Sequence, residues 1–304
     1  MKLFITGGSG FLGSVCIEKL LQDERVEKIY ALTHKTPQNI INPKIEIIQG
    51  NVKNLHEITI NDEIDSCMLL SGAINGRAIN GRAINGRATR NVNYGGTLSA
   101  INFCKRNNIP RIILTSSINV RLPKRGAYAQ SKLDAEGLVK NSGLEWLIFR
   151  PSLIYGRKCK FGLHVIEKSI RKLGIVPIFG NGEKLEQPIH VDECAEYVNY
   201  FTLNRTNSRI IELLGRDAMS YNELCRTIAK CMNKNVKLLH LPIWPFTFTL
   251  RMIEALNIGF PVSSEQFYHV DNDLAGDMSA IYSETGIAQK SFVENYSRDG
   301  ICGD

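Results

Sequence analysis

The stretch KLFITGGSGFLGSVCIEKLL, residues 2–21, decides the fold. Lys2–Thr6 form a short apolar strand, glycines follow at 7, 10 and 13, and a helical pattern then puts Val15, Ile17, Leu20 and Leu21 on one face. Each glycine has a task. Gly7 permits the tight turn, Gly10 lets backbone N–H groups approach a pyrophosphate at the helix N-terminus, and Gly13 lets the helix pack close to the strand. The order strand, glycine triplet, helix predicts a dinucleotide loop built from Gly7, Ser9, Gly10, Phe11, Leu12 and Gly13.

Further strands follow at the spacing of a doubly wound α/β sheet, the Rossmann architecture. The second, KIYALTHK, ends in Thr33, His34 and Lys35 with no acid. An acid there accepts from the 2′-hydroxyl of NAD, whereas the cations His34 and Lys35 suit a 2′-phosphate. NADP(H) is therefore favoured, and NAD(H) stays open. The third strand, KIEIIQGNV, ends in Gly50-Asn51-Val52, where Asn51 and Val52 would border the adenine.

A fourth strand, SCMLLSGA, leads into three unbroken copies of Ala-Ile-Asn-Gly-Arg, residues 73–87. A period of five matches neither helix nor strand, so Arg77, Arg82 and Arg87 cannot line one face of either. The Asn-Gly pairs favour turns. Without two of the copies, an ordinary loop would join the strand to a helix starting near Thr97. The repeat reads as a tandem duplication in a surface loop, where doubling the length costs only about 0.6 kcal/mol. Phosphate capture by the three arginines remains the alternative, because this loop leaves the ligand-binding edge of such sheets.

The chemistry lies in RIILTSSINVRLPKRGAYAQSKLDAEGLVK, residues 111–140. Arg111–Thr115 read as the fifth strand, ending in Ser116 and Ser117. Tyr128 and Lys132 follow on an amphipathic helix, and a spacing of four puts phenol and ammonium on one face. A tyrosine titrating near about 10 is a poor base at neutral pH. A lysine cation beside it favours the phenolate and makes Tyr128 a usable acid–base group. Ser117 can hold a substrate oxygen. GLEWLIFRPSLIYG, residues 143–156, reads as the sixth strand and its exit.

With these residues in view the chain resembles the extended short-chain dehydrogenase/reductase superfamily, the NAD-dependent epimerase/dehydratase group. The landmarks are TGGSGFLG, NYGGT, TSS, YAQSK, FRPSLIYG and QPIHVDECA. The resemblance implies catalytic roles for Ser117, Tyr128 and Lys132, with Lys132 also on the cofactor ribose. It further implies cofactor contacts at Ser71, Gly72, Ala73, Asn93, Pro151 and Ser152. The expected reaction is hydride transfer at a carbinol or carbonyl carbon of a small molecule. Sugar-nucleotide epimerases carry a longer excursion between the Ser117 and Tyr128 positions. The run LPIWPFTFTLRMIEALNIGFPVSSEQFYHVDNDLAGD resembles the branch related to the NADPH-binding accessory subunit of respiratory complex I, which implies an alternative: an accessory or assembly protein without turnover.

Composition narrows the rest. The chain has 304 residues, 43% hydrophobic and 22% charged, which is globular. The expected division is a dinucleotide-binding domain over 1–156, with a returning segment near 186–204, and a smaller α/β substrate domain over 157–304. A net charge of +7 with no basic block interleaved with aromatics argues against nucleic acid. Eight scattered cysteines without metal spacing read as reduced core residues, and with no signal peptide or membrane span they point to the cytoplasm. A homodimer is compatible with this reading. Asp192 is the expected cap of the helix after His190, and His190 a domain-packing residue. Trp244, Phe246, Phe248, Leu250 and Met252 are expected to pack the small domain, with an apolar pocket or peripheral membrane contact as alternatives. SRDGICGD reads as a frayed end.

Overall fold

Strands that are apolar on both faces need cover on both sides, and the first, fourth and fifth strands meet that condition. The computed structural model describes residues 1–34, 40–72, 78–79, 82–83, 86–157, 159, 162–255, 268 and 272–299. Its centre is a seven-stranded, all-parallel sheet. The strands are β1 (Lys2–Thr6), β2 (Lys28–Thr33), β3 (Ile45–Gln49), β4 (Ser66–Leu69), β5 (Arg111–Thr115), β6 (Glu145–Pro151) and β7 (Arg209–Leu213). Their spatial order is 3-2-1-4-5-6-7. The order reverses between β1 and β4, and the crevice beyond the C-terminal ends of those two strands is where ligands bind in such sheets.

The helices are α1 (Phe11–Leu20), α2 (Gly86–Arg90), α3 (Gly96–Arg106), α4 (Ala127–Lys140), α5 (Leu163–Leu173), α6 (Val191–Leu203), α7 (Tyr221–Cys231), α8 (Ile243–Ala255), α9 (Ser279–Thr285) and α10 (Phe292–Asp299). Helices α1 and α6 cover one face of the sheet, burying Leu12, Cys16, Ile17, Val198 and Phe201 against Leu3, Ile5, Ile113 and Phe149. Helices α3 and α4 cover the other, with Ile101, Phe103, Ala135 and Val139 on Phe4, Leu69, Ile112 and Ile148. A separate cluster joins α5, α7 and α10 through Ile166, Ile170, Leu224, Ile228, Phe292 and Tyr296. Arg111 is buried in β5 because its guanidinium donates to the Thr202 and Phe201 carbonyls, both at 2.9 Å, at the negative C-terminal end of α6.

Several expectations need correction. Six strands are legible in sequence, and Arg209–Leu213 adds a seventh by pairing with β6. The helix expected near Thr97 starts earlier: α2 opens at Gly86, and a π-helical turn over Asn91–Gly95 carries it without a break into α3. Asp192 is not a cap; His190 caps α6, its Nδ1 accepting the Asp192 N–H at 3.2 Å. His190 is buried, and its ring meets the Asp299 carboxylate at 2.8 Å, so it joins the start of α6 to α10. The start of SRDGICGD is therefore not frayed: Arg298 and Asp299 are pinned by Asp192, His190 and the Arg157 N–H. Trp244 and Phe248 do not pack a small domain but are exposed, Trp244 to 74%, and Phe246 is exposed apart from an edge contact with Phe179. Leu250 is buried, while the Met252 side chain lies outside the described residues. No helix among the described residues is long and apolar enough to cross a membrane. The seven described cysteines are free thiols, and none of the described residues forms a His/Cys/Asp/Glu group able to hold a metal ion.

The repeat is more ordered than a bare loop. Ala78–Ile79 pair antiparallel with Arg82–Ala83, separated in sequence by Asn80-Gly81, the strongest short-range hairpin signal. The third copy supplies Gly86 and Arg87 to α2, and a Cβ on Gly86 would lie 3.0 Å from the Ala127 Cβ at the start of α4. Arg77 and the Arg82 side chain lie outside the described residues, and Arg87 is exposed. Deleting residues 78–87 would place Asn75-Gly76-Arg77 immediately before Ala88, so α2 would keep its sequence. We expect that deletion to change unfolding free energy in a urea titration by less than about 1 kcal/mol. A loss of several kcal/mol would mean that the hairpin is part of the fold.

Candidate active site

The glycine loop works by close backbone approach. Gly7 has φ +75°, and a Cβ there would lie 2.5 Å from the Ser71 N at the exit of β4. At Gly13 a Cβ would fall 2.1 Å from the Gly7 carbonyl oxygen, so α1 touches the loop backbone with no side chain between. Thr6 Oγ1 and Ser71 Oγ join β1 to β4 at 3.0 Å. Gly10 is the N-cap of α1 with no side-chain hydrogen bond and no acid in the first turn. The first helical bond runs from the Ser14 N–H to the Gly10 carbonyl at 2.9 Å, which leaves the N–H groups of Phe11, Leu12 and Gly13 ahead of it. A tight backbone cradle at an uncapped positive helix end fits a pyrophosphate.

The opposite wall is α4. Tyr128, half-buried, lies in its first turn, and Lys132 one turn later is only 4% exposed. The Lys132 ammonium donates to the Thr115 carbonyl at 2.8 Å and lies 3.1 Å from where a Gly72 Cβ would be. Burial pushes its pKa down to about 8, against an opposing pull from the Glu136 carboxylate. Asn93, turned inward by the π-helical turn, donates from Nδ2 to Ser131 Oγ at 2.9 Å, and Ser131 donates to the Tyr128 carbonyl at 2.8 Å. Ser117 ends β5 as the cap of the 3₁₀ turn Ile118–Arg121, its Oγ accepting the Asn119 N–H at 3.3 Å. The neighbouring Ser116 Oγ and Thr115 Oγ1 are buried without hydrogen-bond partners.

The remaining candidates divide. Gly72, Asn93 and Lys132 gather at the C-terminal ends of β4 and β5, and Ser71 lies against Gly7 of the loop formed by Gly7, Ser9, Gly10, Phe11, Leu12 and Gly13; Ser117 follows β5 by two residues, and Tyr128 lies one helical turn before Lys132. Asn51 accepts the Lys53 N–H at 3.1 Å, and Val52 packs where a Gly96 Cβ would meet it at 3.1 Å. Exposed His34 follows β2, its carbonyl accepting from Gln49 Nε2 at 2.6 Å. Pro151 ends β6; the Ser152 hydroxyl donates to the Gln187 carbonyl at 2.5 Å and so ties the returning chain to the sheet. Lys35 and Ala73 lie outside the described residues. Sequence reasoning missed the Thr115 carbonyl under Lys132 and the pairing of Glu136 with Arg150 at 2.9 and 2.8 Å. The four-residue step from Lys132 to Glu136 places those two on one helix face but gives no sign of Arg150, which comes from β6.

The sequence model of the NAD dependent epimerase/dehydratase family matches residues 3–212. A putative UDP-glucose 4-epimerase of Methanocaldococcus jannaschii is 25% identical over 248 residues, covering 73% of this chain and 79% of that protein. N-acetyl-alpha-D-glucosaminyl-diphospho-ditrans,octacis-undecaprenol 4-epimerase of Escherichia coli O157:H7 is 22% identical, covering 79% of this chain and 75% of that one. Among solved structures, the fold is shared with UDP-glucose 4-epimerase from Thermotoga maritima with UDP-glucose, at a TM-score of 0.75 and 15% identity over 98% of this chain and 97% of that one. It is also shared with dTDP-glucose 4,6-dehydratase from Streptomyces venezuelae with NAD, at a TM-score of 0.73 and 16% identity over 98% of this chain and 95% of that one. With more than half its length matched and its glycine loop and parallel sheet in place, the chain belongs to the NAD-dependent epimerase/dehydratase family and is an enzyme of that kind.

Proposed function

We propose that the protein transfers a hydride at a carbinol or carbonyl carbon of a small molecule, as an oxidoreductase or epimerase, with Tyr128, Lys132 and Ser117 as its catalytic residues. The observation that carries the reading is the buried Lys132 ammonium, one helical turn from Tyr128 and beside Gly72 at the sheet's switch point. A nicotinamide dinucleotide, held at the glycine loop, would supply the hydride acceptor or donor. Tyr128 takes the substrate hydroxyl proton as hydride leaves and returns it in the reverse direction. Lys132 favours the phenolate by its charge, and its remaining donors suit ribose hydroxyls. Ser117 donates to the substrate oxygen and fixes its distance from Tyr128. The loop of Gly7, Gly10 and Gly13 holds the pyrophosphate, and Asn51 and Val52 border the adenine.

Three of the proteins named above carry UDP-glucose or dTDP-glucose in their names and the fourth a sugar joined through diphosphate to undecaprenol, so diphosphate-linked sugars head the substrates to test. The eleven-residue step from Ser117 to Tyr128 leaves a short wall on that side, which favours compact substrates. For the cofactor, no carboxylate follows β2, where Thr33 bonds Gln49 and the chain continues into His34 and Lys35. This supports NADP(H) over NAD(H). Titration of both reduced nucleotides at low and high salt should give tighter binding of NADPH, with the difference shrinking as salt screens the 2′-phosphate; equal affinity would remove the assignment.

Tyr128→Phe should lower kcat by about 10²–10⁴ on any substrate turned over while leaving nucleotide affinity nearly unchanged. Turnover that survives this change would show that the family's chemistry is carried by other groups.

Lys132 also makes a stability prediction. A lysine whose folded pKa is lowered destabilises the fold fully while both states are charged, below pH 8. The cost fades between pH 8 and 10.5, where the folded state has lost the proton and the unfolded chain still holds it. Lys132→Met should therefore raise stability at pH 7 by about 1–3 kcal/mol while abolishing turnover. Urea titrations at pH 7 and pH 10 would read a gain that shrinks with pH; a gain that grew would contradict the burial of charge.

A further inference from the structure

A chain of charged side chains runs away from Lys132 on the side opposite the glycine loop. Glu136 lies one turn beyond Lys132 on α4 and is fully buried. Its two carboxylate oxygens are both taken by Arg150 of β6, which donates from Nε at 2.9 Å and from Nη2 at 2.8 Å. Arg150 faces Glu212 in the β6–β7 register and meets its carboxylate at 3.5 Å. Glu212 in turn meets Arg121 at 3.3 Å, at the end of the turn that Ser117 caps.

Around Lys132 the polar neighbours are Tyr128 and Glu136 on its own helix, Asn93 from the π-helical turn, and the Thr115 carbonyl from β5. Among the described residues, Glu136, four positions on along the same helix, is the carboxylate whose charge acts on the ammonium. Around Glu136 the charged groups are Arg150 from β6 and, on α4, Lys132 and Lys140, the last at 3.9 Å. Stability alone is a poor reason for such a pair, because buried ion pairs are commonly no better than apolar side chains of the same volume. The two-pronged clamp has another effect. With both oxygens held by Arg150, Glu136 cannot swing to Lys132 and occupy its donors, yet its charge still opposes the loss of the lysine proton.

We infer that Glu136, held by Arg150, is a positioning residue that keeps Lys132 cationic while leaving its hydrogen-bond donors to the ligand. This rests on the catalytic reading of Lys132 given above. The experiment reads the lysine itself: competitive acylation of the full-length protein with acetic anhydride across pH, with modification of the Lys132 peptide quantified by mass spectrometry. Glu136→Gln should lower the titration midpoint of Lys132 by about one pH unit, and the alkaline limb of turnover should move with it. Glu136→Asp keeps the charge and should leave the midpoint close to wild type even where it lowers the melting temperature. An unmoved midpoint in Glu136→Gln, or an equal fall in both variants, would make the pair merely structural. If Glu136→Gln does not fold, Arg150→Lys decides the matter: it releases one carboxylate oxygen to Lys132, so the midpoint should rise, and an unchanged or lower one overturns the inference. Because acylation does not require turnover, a Tyr128→Phe variant that stays active would overturn the catalytic reading alone.

Discussion

Three pieces of backbone meet beside β1 with no side chain between them: the Gly7 turn, the start of α1 at Gly13, and the exit of β4 at Ser71. The contact does more than make room for a phosphate. It fixes the height of α1 over the sheet and brings Ser71-Gly72 into the crevice, and Gly72 in turn sets where the Lys132 ammonium can stop. Lys132 then closes on the Thr115 carbonyl, and β5 delivers Ser117 a few residues later. The glycine loop and the Lys132 helix are thus parts of one train of contacts. A methyl group added at Gly7 or Gly13 would be felt at Tyr128, across the width of the crevice.

Several buried polar groups in this protein are satisfied by the ends and edges of secondary structure. Arg111 reaches the carbonyls that α6 leaves open, and Gln187 binds Gly215 with its amide nitrogen and Gly276 with its amide oxygen. Asp299 gathers His190 and the Arg157 N–H, fastening α10 against the start of α6. Each bond joins segments that are far apart in the chain to the rim of the parallel sheet. Bonds of this kind fasten distant parts of the chain to both ends of the sheet and hold its strands in place.

What could be read in sequence was what local rules govern. The glycine spacing and the four-residue step from Tyr128 to Lys132 follow from turn and helix geometry, and both recur in the structure. What escaped depends on partners far along the chain. Arg209–Leu213 is an unremarkable pentapeptide until β6 lies beside it. Asn93 points inward because the π-helical turn adds a residue to one turn of helix, a shift that no periodicity of side chains announces. His190 caps a helix that the adjacent Asp192 seemed better suited to cap, since aspartate is among the preferred capping residues and histidine is not. Trp244 was read as core because it is large and apolar, yet size and polarity do not say which face a helix turns to its neighbours.

The repeat carries a consequence of another kind. Because its unit is five residues and each copy is identical, removing or adding one copy leaves the same sequence at both joints, Ser-Gly-Ala on one side and Gly-Arg-Ala-Thr on the other. Slippage during replication of such a stretch changes the length of the segment in whole units without disturbing β4 before it or α2 after it. The segment between β4 and α2 is therefore a place where the chain can change length in whole units while the residues that flank it stay the same.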